Sequence, residues 1–135
     1  MQVSASDMSP AARLLAIDDD PDSAGLLARI AAKSGYQSQS ITDPRRIGQM
    51  LNDWCPDIVT LDLCMPWLDG IEALSVLQAS GFAGHVVIVS GLDRETREAA
   101  RALGEARGLK VADNFSKPVD TKALRELLSR LKKVH

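Results

Sequence analysis

The 135-residue chain has no long apolar run: its longest, such as Val86 to Val89, fall far short of the roughly 20 residues that cross a bilayer. That excludes a spanning helix and leaves no membrane partner. The opening MQVSASDMSP lacks the basic and apolar regions of a signal peptide, so the chain reads as cytoplasmic. It also lacks a basic excess, since 16 Lys and Arg stand against 18 Asp and Glu for a formal charge of −2. Without a positive footprint, direct binding to nucleic acid is not expected. Cysteine is scarce. Cys55 and Cys64 make neither a disulfide framework nor a metal-binding spacing and read as free thiols. There is no length for a second domain either, although 135 residues suffice to bury roughly two-thirds of the unfolded surface.

What is present is a repeating pattern of short apolar runs ending in polar residues. The Ser-rich, aperiodic start predicts a flexible tail over residues 1–11 and one domain over 12–135. Leu14 to Ile17 reads as a strand that stops at Asp18, Asp19 and Asp20. Asp20 with Pro21 is a helix start, the acid as N-cap and the proline where an N–H would be unpaired anyway. Leu26, Leu27, Ile30 and Ala31 give that helix its apolar face, and Gly35 closes it. Tyr36 to Ile41 alternates like an edge strand, and Asp43 with Pro44 starts a helix carrying Ile47, Met50, Leu51 and Trp54.

The stretch DIVTLDLCMPWLDG, residues 57–70, follows as a third strand buried on both faces, with Pro66, Asp69 and Gly70 turning the chain into a helix marked by Ile71, Leu74 and Leu77. Gly81 ends that helix. HVVIVS, from His85 to Ser90, is the fourth strand, and Asp93 caps an Ala- and Arg-rich helix toward Arg107. Leu109 to Phe115 gives a weaker fifth strand. Asp120 caps a last helix with Leu124, Leu127, Leu128 and Leu131 on one side and Lys132 and Lys133 at its end. Five strands alternating with five helices predict an α/β fold, a flavodoxin-like three-layer (βα)5 sandwich whose parallel sheet has the order 2-1-3-4-5. Strands one and three then straddle the switch point, where ligands bind beyond the carboxyl ends of the strands.

Asp62 interrupts the third strand near its mouth, where a carboxylate is tolerable only if solvent, donors or a cation reach it. The topology brings Asp18 and Asp19 to the same crevice. One helix needs one cap, and Asp20 supplies it, so two further acids beside Asp62 call for a cation or for protons. Magnesium suits oxygen ligands of this kind and completes its shell with water and phosphate. Ser90 alone would be an ordinary turn residue, and Lys117 alone a solvated lysine. At the ends of strands four and five, however, they are placed to hydrogen-bond and to neutralise an oxyanion at Asp62. Trp54 reads as cover for the core and Trp67 as a loop side chain beside the site. Neither His85 nor His135 has the neighbours of a catalytic triad.

The order DD, LDLCMPWLDG, VVIVSG and FSKP resembles the receiver domain of two-component response regulators, over about Arg13 to Leu131. The resemblance implies that Asp62 is the phosphoacceptor, loaded by a sensor histidine kinase or a phosphotransfer protein. It implies that Asp18 and Asp19 are the acidic magnesium pair and that Cys64 offers its backbone carbonyl to the metal. Ser90 would be the switch hydroxyl, and Lys117 the phosphate-contacting lysine with a cis bond to Pro118. A downstream protein would dock on the fourth helix, fifth strand and fifth helix, with dimerisation left open, and the chain would signal rather than act as an enzyme.

Two features depart from the family pattern. Asn114 stands three before the lysine, where the family commonly has Tyr or Phe, while Phe115 points to the opposite face of its strand. The interval from Ser90 to Lys117 is also longer by about a helical turn, a surplus placed between Arg94 and Gly108. Three rival readings remain. A phosphohydrolase would want an acid two residues after Asp62, where Cys64 stands, and an FMN protein would want a Ser/Thr/Gly-rich loop where three aspartates stand. A receiver-like interaction module that takes no phosphoryl group would not need the full acidic set. Nothing after the last helix reads as an output domain.

Overall fold

The computed structural model describes residues 11–64 and 70–132, with only the backbone of residues 70 and 71. Residues 1–10 of the tail expected over 1–11, the turn at Pro66 and Asp69, Trp67, the Ile71 side chain, Lys133 and His135 lie outside the described residues.

The alternation of apolar runs and capped helices resolves into β1 (Arg13–Ile17), α1 (Pro21–Lys33), β2 (Gln37–Ile41), α2 (Ile47–Trp54), β3 (Ile58–Leu61), α3 (Gly70–Ala79), β4 (His85–Ser90), α4 (Arg94–Ala106), β5 (Lys110–Ser116) and α5 (Thr121–Lys132). All strand pairs are parallel, and the sheet order is β2-β1-β3-β4-β5. The caps are where the acids predicted them. Asp20 accepts from the Asp22 amide, Asp93 from Thr96 and Asp120 from Ala123. Asp43 caps too, but Pro44–Arg46 is a 3-10 turn and the α-helix begins only at Ile47. Gly35 and Gly81 take positive φ angles of 89° and 70° at helix ends, a conformation open to glycine.

The central strands separate two apolar layers, as expected of a parallel sheet covered on both faces. On one side Leu15, Ile17, Val59, Leu61, Val86 and Ile88 pack with Ile47, Met50, Leu51, Ala73, Leu74 and Leu77 from α2 and α3. On the other, Leu14, Ala16, Ile58, Val87 and Val89 meet Leu27, Ile30, Ala31, Leu124, Leu127 and Leu128 from α1 and α5. Trp54 covers the first layer, with the Arg13 guanidinium 5.6 Å from its ring centre. Tyr36 ties the second layer together by donating its buried hydroxyl to the Leu128 carbonyl at 2.5 Å.

The register of β5 against β4 slips between Val86 and Val87, which face Val111 and Asp113, so Ala112 is an extra residue in β5. This bulge lies within the Ser90–Lys117 interval. Just before β4, Gly84 lies against the Asp57 main chain, so an added Cβ would run into the Asp57 carbonyl oxygen. Gly84→Ala is expected to cost about 1–3 kcal/mol, as overpacking against backbone does, seen as a lower denaturant midpoint with an unchanged slope.

Candidate functional site

The ends of β1, β3, β4 and the residue after β5 converge at one rim of the sheet. The β3 ladder stops at Leu61, and Asp62 follows with its amide still donating to the Ile17 carbonyl at 3.0 Å. Backbone pairing thus fixes Asp62 beside the end of β1, where Asp18 lies. Asp18 is fully buried, Asp62 is 5% exposed and Asp19 is exposed. One oxygen from each of the three carboxylates falls within a 4.8 Å cluster.

Among the described residues, a single cation reaches into this group. Lys117 Nζ lies 2.7 Å from Asp18 Oδ2 and 3.2 Å from Asp62 Oδ2. The lysine is carried there by β5 and anchored where its amide donates to the Ser90 carbonyl at 3.1 Å. Its bond to Pro118 is cis. Asp62 Oδ1 accepts from the Cys64 amide at 3.1 Å, and Asp18 Oδ1 from the Asp20 amide at 3.0 Å.

The two buried acids are driven apart electrostatically. Burial alone would raise Asp18, but hydrogen bonds from Lys117, the Asp20 amide and Ser23 outweigh it and hold Asp18 below the ordinary carboxylate range. Asp62 goes the other way: burial raises it, the charge of Asp18 adds to the rise, and the Cys64 amide and Lys117 offset only part. Lys117 is itself raised, because the pull of Asp18 and Asp62 exceeds the cost of burial. With three acids and one ammonium, an excess of negative charge remains, and the oxygen donor set fits a hard divalent cation.

Ser90 is fully buried at the end of β4, and its Oγ accepts from the Leu92 amide at 3.2 Å. Asn114 reaches away from the rim to Glu98 Oε1 at 3.4 Å, toward α4, whereas Phe115 packs in the layer against α1 and α5. The two side chains therefore lie on opposite faces, as the alternation predicts. The structure brings Asp18, Asp62 and Lys117 into direct contact and Asp19 alongside them. Cys64 joins through its amide, with an exposed free thiol. No local pattern pointed to Ser23 as a side chain that helps hold Asp18 low, because its place relative to Asp18 depends on how α1 leaves its cap.

A family model described as the response regulator receiver domain matches residues 14–129. The chain belongs to the receiver domain family of response regulators. This receiver is 31% identical over 120 residues to response regulator MprA of Mycolicibacterium vanbaalenii, covering 89% of this chain and 48% of that protein. It is 31% identical over 115 residues to protein PilH of Pseudomonas aeruginosa, covering 84% of this chain and 91% of PilH. The crystal structure of a response regulator from Colwellia psychrerythraea superposes with a TM-score of 0.81 at 29% identity, covering 93% of this chain and 99% of that one. The receiver spans half or less of several longer curated relatives, such as 36% of the DNA-binding response regulator MtrA of Mycolicibacterium smegmatis. Receiver domains are signal transducers of two-component systems, and phosphorylation on aspartate with magnesium in the acidic pocket is typical of them. Among the described residues no helix is long and apolar enough to cross a membrane.

Proposed function

We propose that this receiver accepts a phosphoryl group on Asp62 from a phosphohistidine of a partner kinase or phosphotransfer protein, and that Ser90 and Lys117 pass the change to a docking surface. The observation that carries the reading is the lysine bridge: one ammonium held by two buried carboxylates at 2.7 and 3.2 Å, at the sheet rim. Because the Cys64 amide holds Oδ1, Oδ2 is the atom turned toward the incoming phosphorus. Oδ2 attacks, the P–N bond breaks, and its electron pair returns to the imidazole nitrogen of the donor. Lys117 is within reach of the charge that builds on the equatorial oxygens. Asp18, Asp19 and Asp62, with the Cys64 carbonyl, are the groups that would hold magnesium. When bound, the ion supplies further neutralisation of phosphoryl charge.

The Ser90 hydroxyl then turns to a phosphoryl oxygen. The partner surface assigned to this switch is α4, β5 and α5, with a cytoplasmic kinase upstream and a protein target downstream. On this reading the chain transmits a signal and catalyses no turnover of its own.

Intact-mass analysis after incubation with magnesium and acetyl phosphate tests the reading. One phosphoryl adduct is expected, lost when a chelator removes the metal. Asp19→Asn is expected to raise the magnesium needed for half-maximal labelling by roughly tenfold or more, the scale on which a carboxylate ligand acts. Labelling without magnesium, or none from either acetyl phosphate or phosphohistidine donors, overturns the assignment.

A further inference from the structure

Arg97 occupies the inward stripe of α4. Residues of a helix follow one another at about 100°, so Arg97 shares a face with Gly104, about two turns later, and with Ala100 between them. Ala100 is buried, and Gly104 sits so near the sheet that an added Cβ would meet a Val111 methyl at 3.0 Å and Leu74 at 3.5 Å. Followed toward the helix start, the same stripe carries Arg97 to the level where Glu98 meets Asn114, whose register partner Ile88 is two residues before Ser90.

Arg97 is half-buried there, and two of its three guanidinium nitrogens are incompletely satisfied. Its Nε and Nη1 are both buried, and neither has an acceptor among the described residues. Asp93 feels the Arg97 charge, but its carboxylate is engaged by Thr96 as the cap of α4. Buried donors without acceptors raise the free energy of the state that contains them, and so favour any state that supplies acceptors.

The neighbouring turn has a bond that phosphorylation would break. Ser90 Oγ holds the Leu92 amide at 3.2 Å, which pins the short Gly91–Leu92 connection leading into α4. A hydroxyl drawn to a phosphoryl oxygen on Asp62 leaves that amide without its acceptor, and the turn loses its anchor. Asn114 offers no aromatic ring to follow the hydroxyl, and its amide is held by Glu98.

We propose that Arg97 is the second half of the switch: once Ser90 turns away, main-chain carbonyls of the Gly91–Leu92 turn swing to Nε and Nη1 of Arg97 and draw the first turns of α4 with them. The inference rests on Asp62 as phosphoacceptor. It makes the exposed Arg94, Glu95 and Glu98 of α4 the groups whose positions report the signal.

Arg97→Met retains an apolar stem and removes the donors. Nuclear magnetic resonance with and without saturating magnesium and acetyl phosphate follows the Arg97 Nε–H and the amides of residues 91–101, while intact mass records the adduct. In the wild type, solvent exchange of the Nε–H is expected to slow by roughly tenfold on phosphorylation, as a newly bonded donor does. R97M is expected to label at the wild-type rate and stoichiometry, while its α4 amide shifts shrink by about half or more and those of Ser90 and Lys117 persist. A labelled wild type with an unchanged Nε–H, or an R97M protein whose α4 responds in full, overturns the Arg97 switch and leaves the acceptor reading in place. An unlabelled wild type overturns both.

Discussion

Asp62→Asn is expected to take up no phosphoryl group and to melt higher than the wild type at pH 7. The first effect follows from chemistry, since an amide oxygen is not the nucleophile that a carboxylate is, and labelling falls from stoichiometric to undetectable. The second follows from electrostatics. Burial raises Asp62 above the ordinary carboxylate range and the nearby Asp18 charge raises it further. A carboxyl whose folded value lies above its unfolded one favours the fold only while protonated, so its contribution is lost as pH rises through the folded value. At pH 7 the ionised group therefore costs stability. Asparagine keeps the shape and the acceptor for the Cys64 amide, and leaves Lys117 to Asp18.

A gain of about 1 kcal/mol, or roughly 3–6 °C, is expected at pH 7, and it should shrink as pH falls through the raised range and the wild-type carboxyl takes up its own proton. Thermal melts of both proteins across pH, paired with intact mass, read both effects. A variant that still labels removes Asp62 from its role. One that melts below the wild type at every pH shows that the carboxylate is stabilising where it stands.

Lys117→Ala is expected to have the largest effect on stability. The ammonium bonds two carboxylates that are nearly sealed from solvent, and its own value is raised, so its contribution is present below pH 10.5 and lost only above it. Without it Asp18 loses the strongest of the interactions that keep it low, and Asp62 loses one of the two that restrain its rise. Two ionised acids are then left facing each other at pH 7, a loss of about 2–4 kcal/mol on the scale of a broken buried ion pair.

The loss has two remedies, and each makes a signature. At pH 5 one carboxyl holds its proton more readily and the deficit should narrow. At pH 7, millimolar magnesium binding the folded state alone should raise the variant's midpoint more than that of the wild type. Urea titrations in those conditions decide the matter. A variant as stable as the wild type at pH 7 without magnesium would show that the lysine bridge contributes nothing.

How much of this was legible depends on the range of each interaction. The caps at Asp20, Asp93 and Asp120 were readable because donor and acceptor lie two or three residues apart. The buried strands were readable because a parallel sheet covered on both faces demands continuous apolar runs, and the parallel pairing follows from the alternation of strand and helix. Asp18, Asp62, Ser90 and Lys117 could be named because each stands at the end of such a run. The bulge at Ala112 could not, since a register slip depends on how β5 meets β4 rather than on its own composition. Nor could the 3-10 turn at Pro44–Arg46, where the cap and proline predicted an uninterrupted helix.

By itself, then, the order of residues determined the α/β class, the strand ends and the cluster of acids, because these rest on periodicity and on contacts within a turn or two of chain. Only the tertiary structure decided that Lys117 lies between Asp18, 99 residues away, and Asp62, 55 residues away, and so which acid is lowered and which is raised. It alone also decided that Arg97, unremarkable in a charged helix, buries two of its nitrogens without acceptors among the described residues. Burial and charge pairing between distant segments are properties of the packed chain, and no local pattern encodes them.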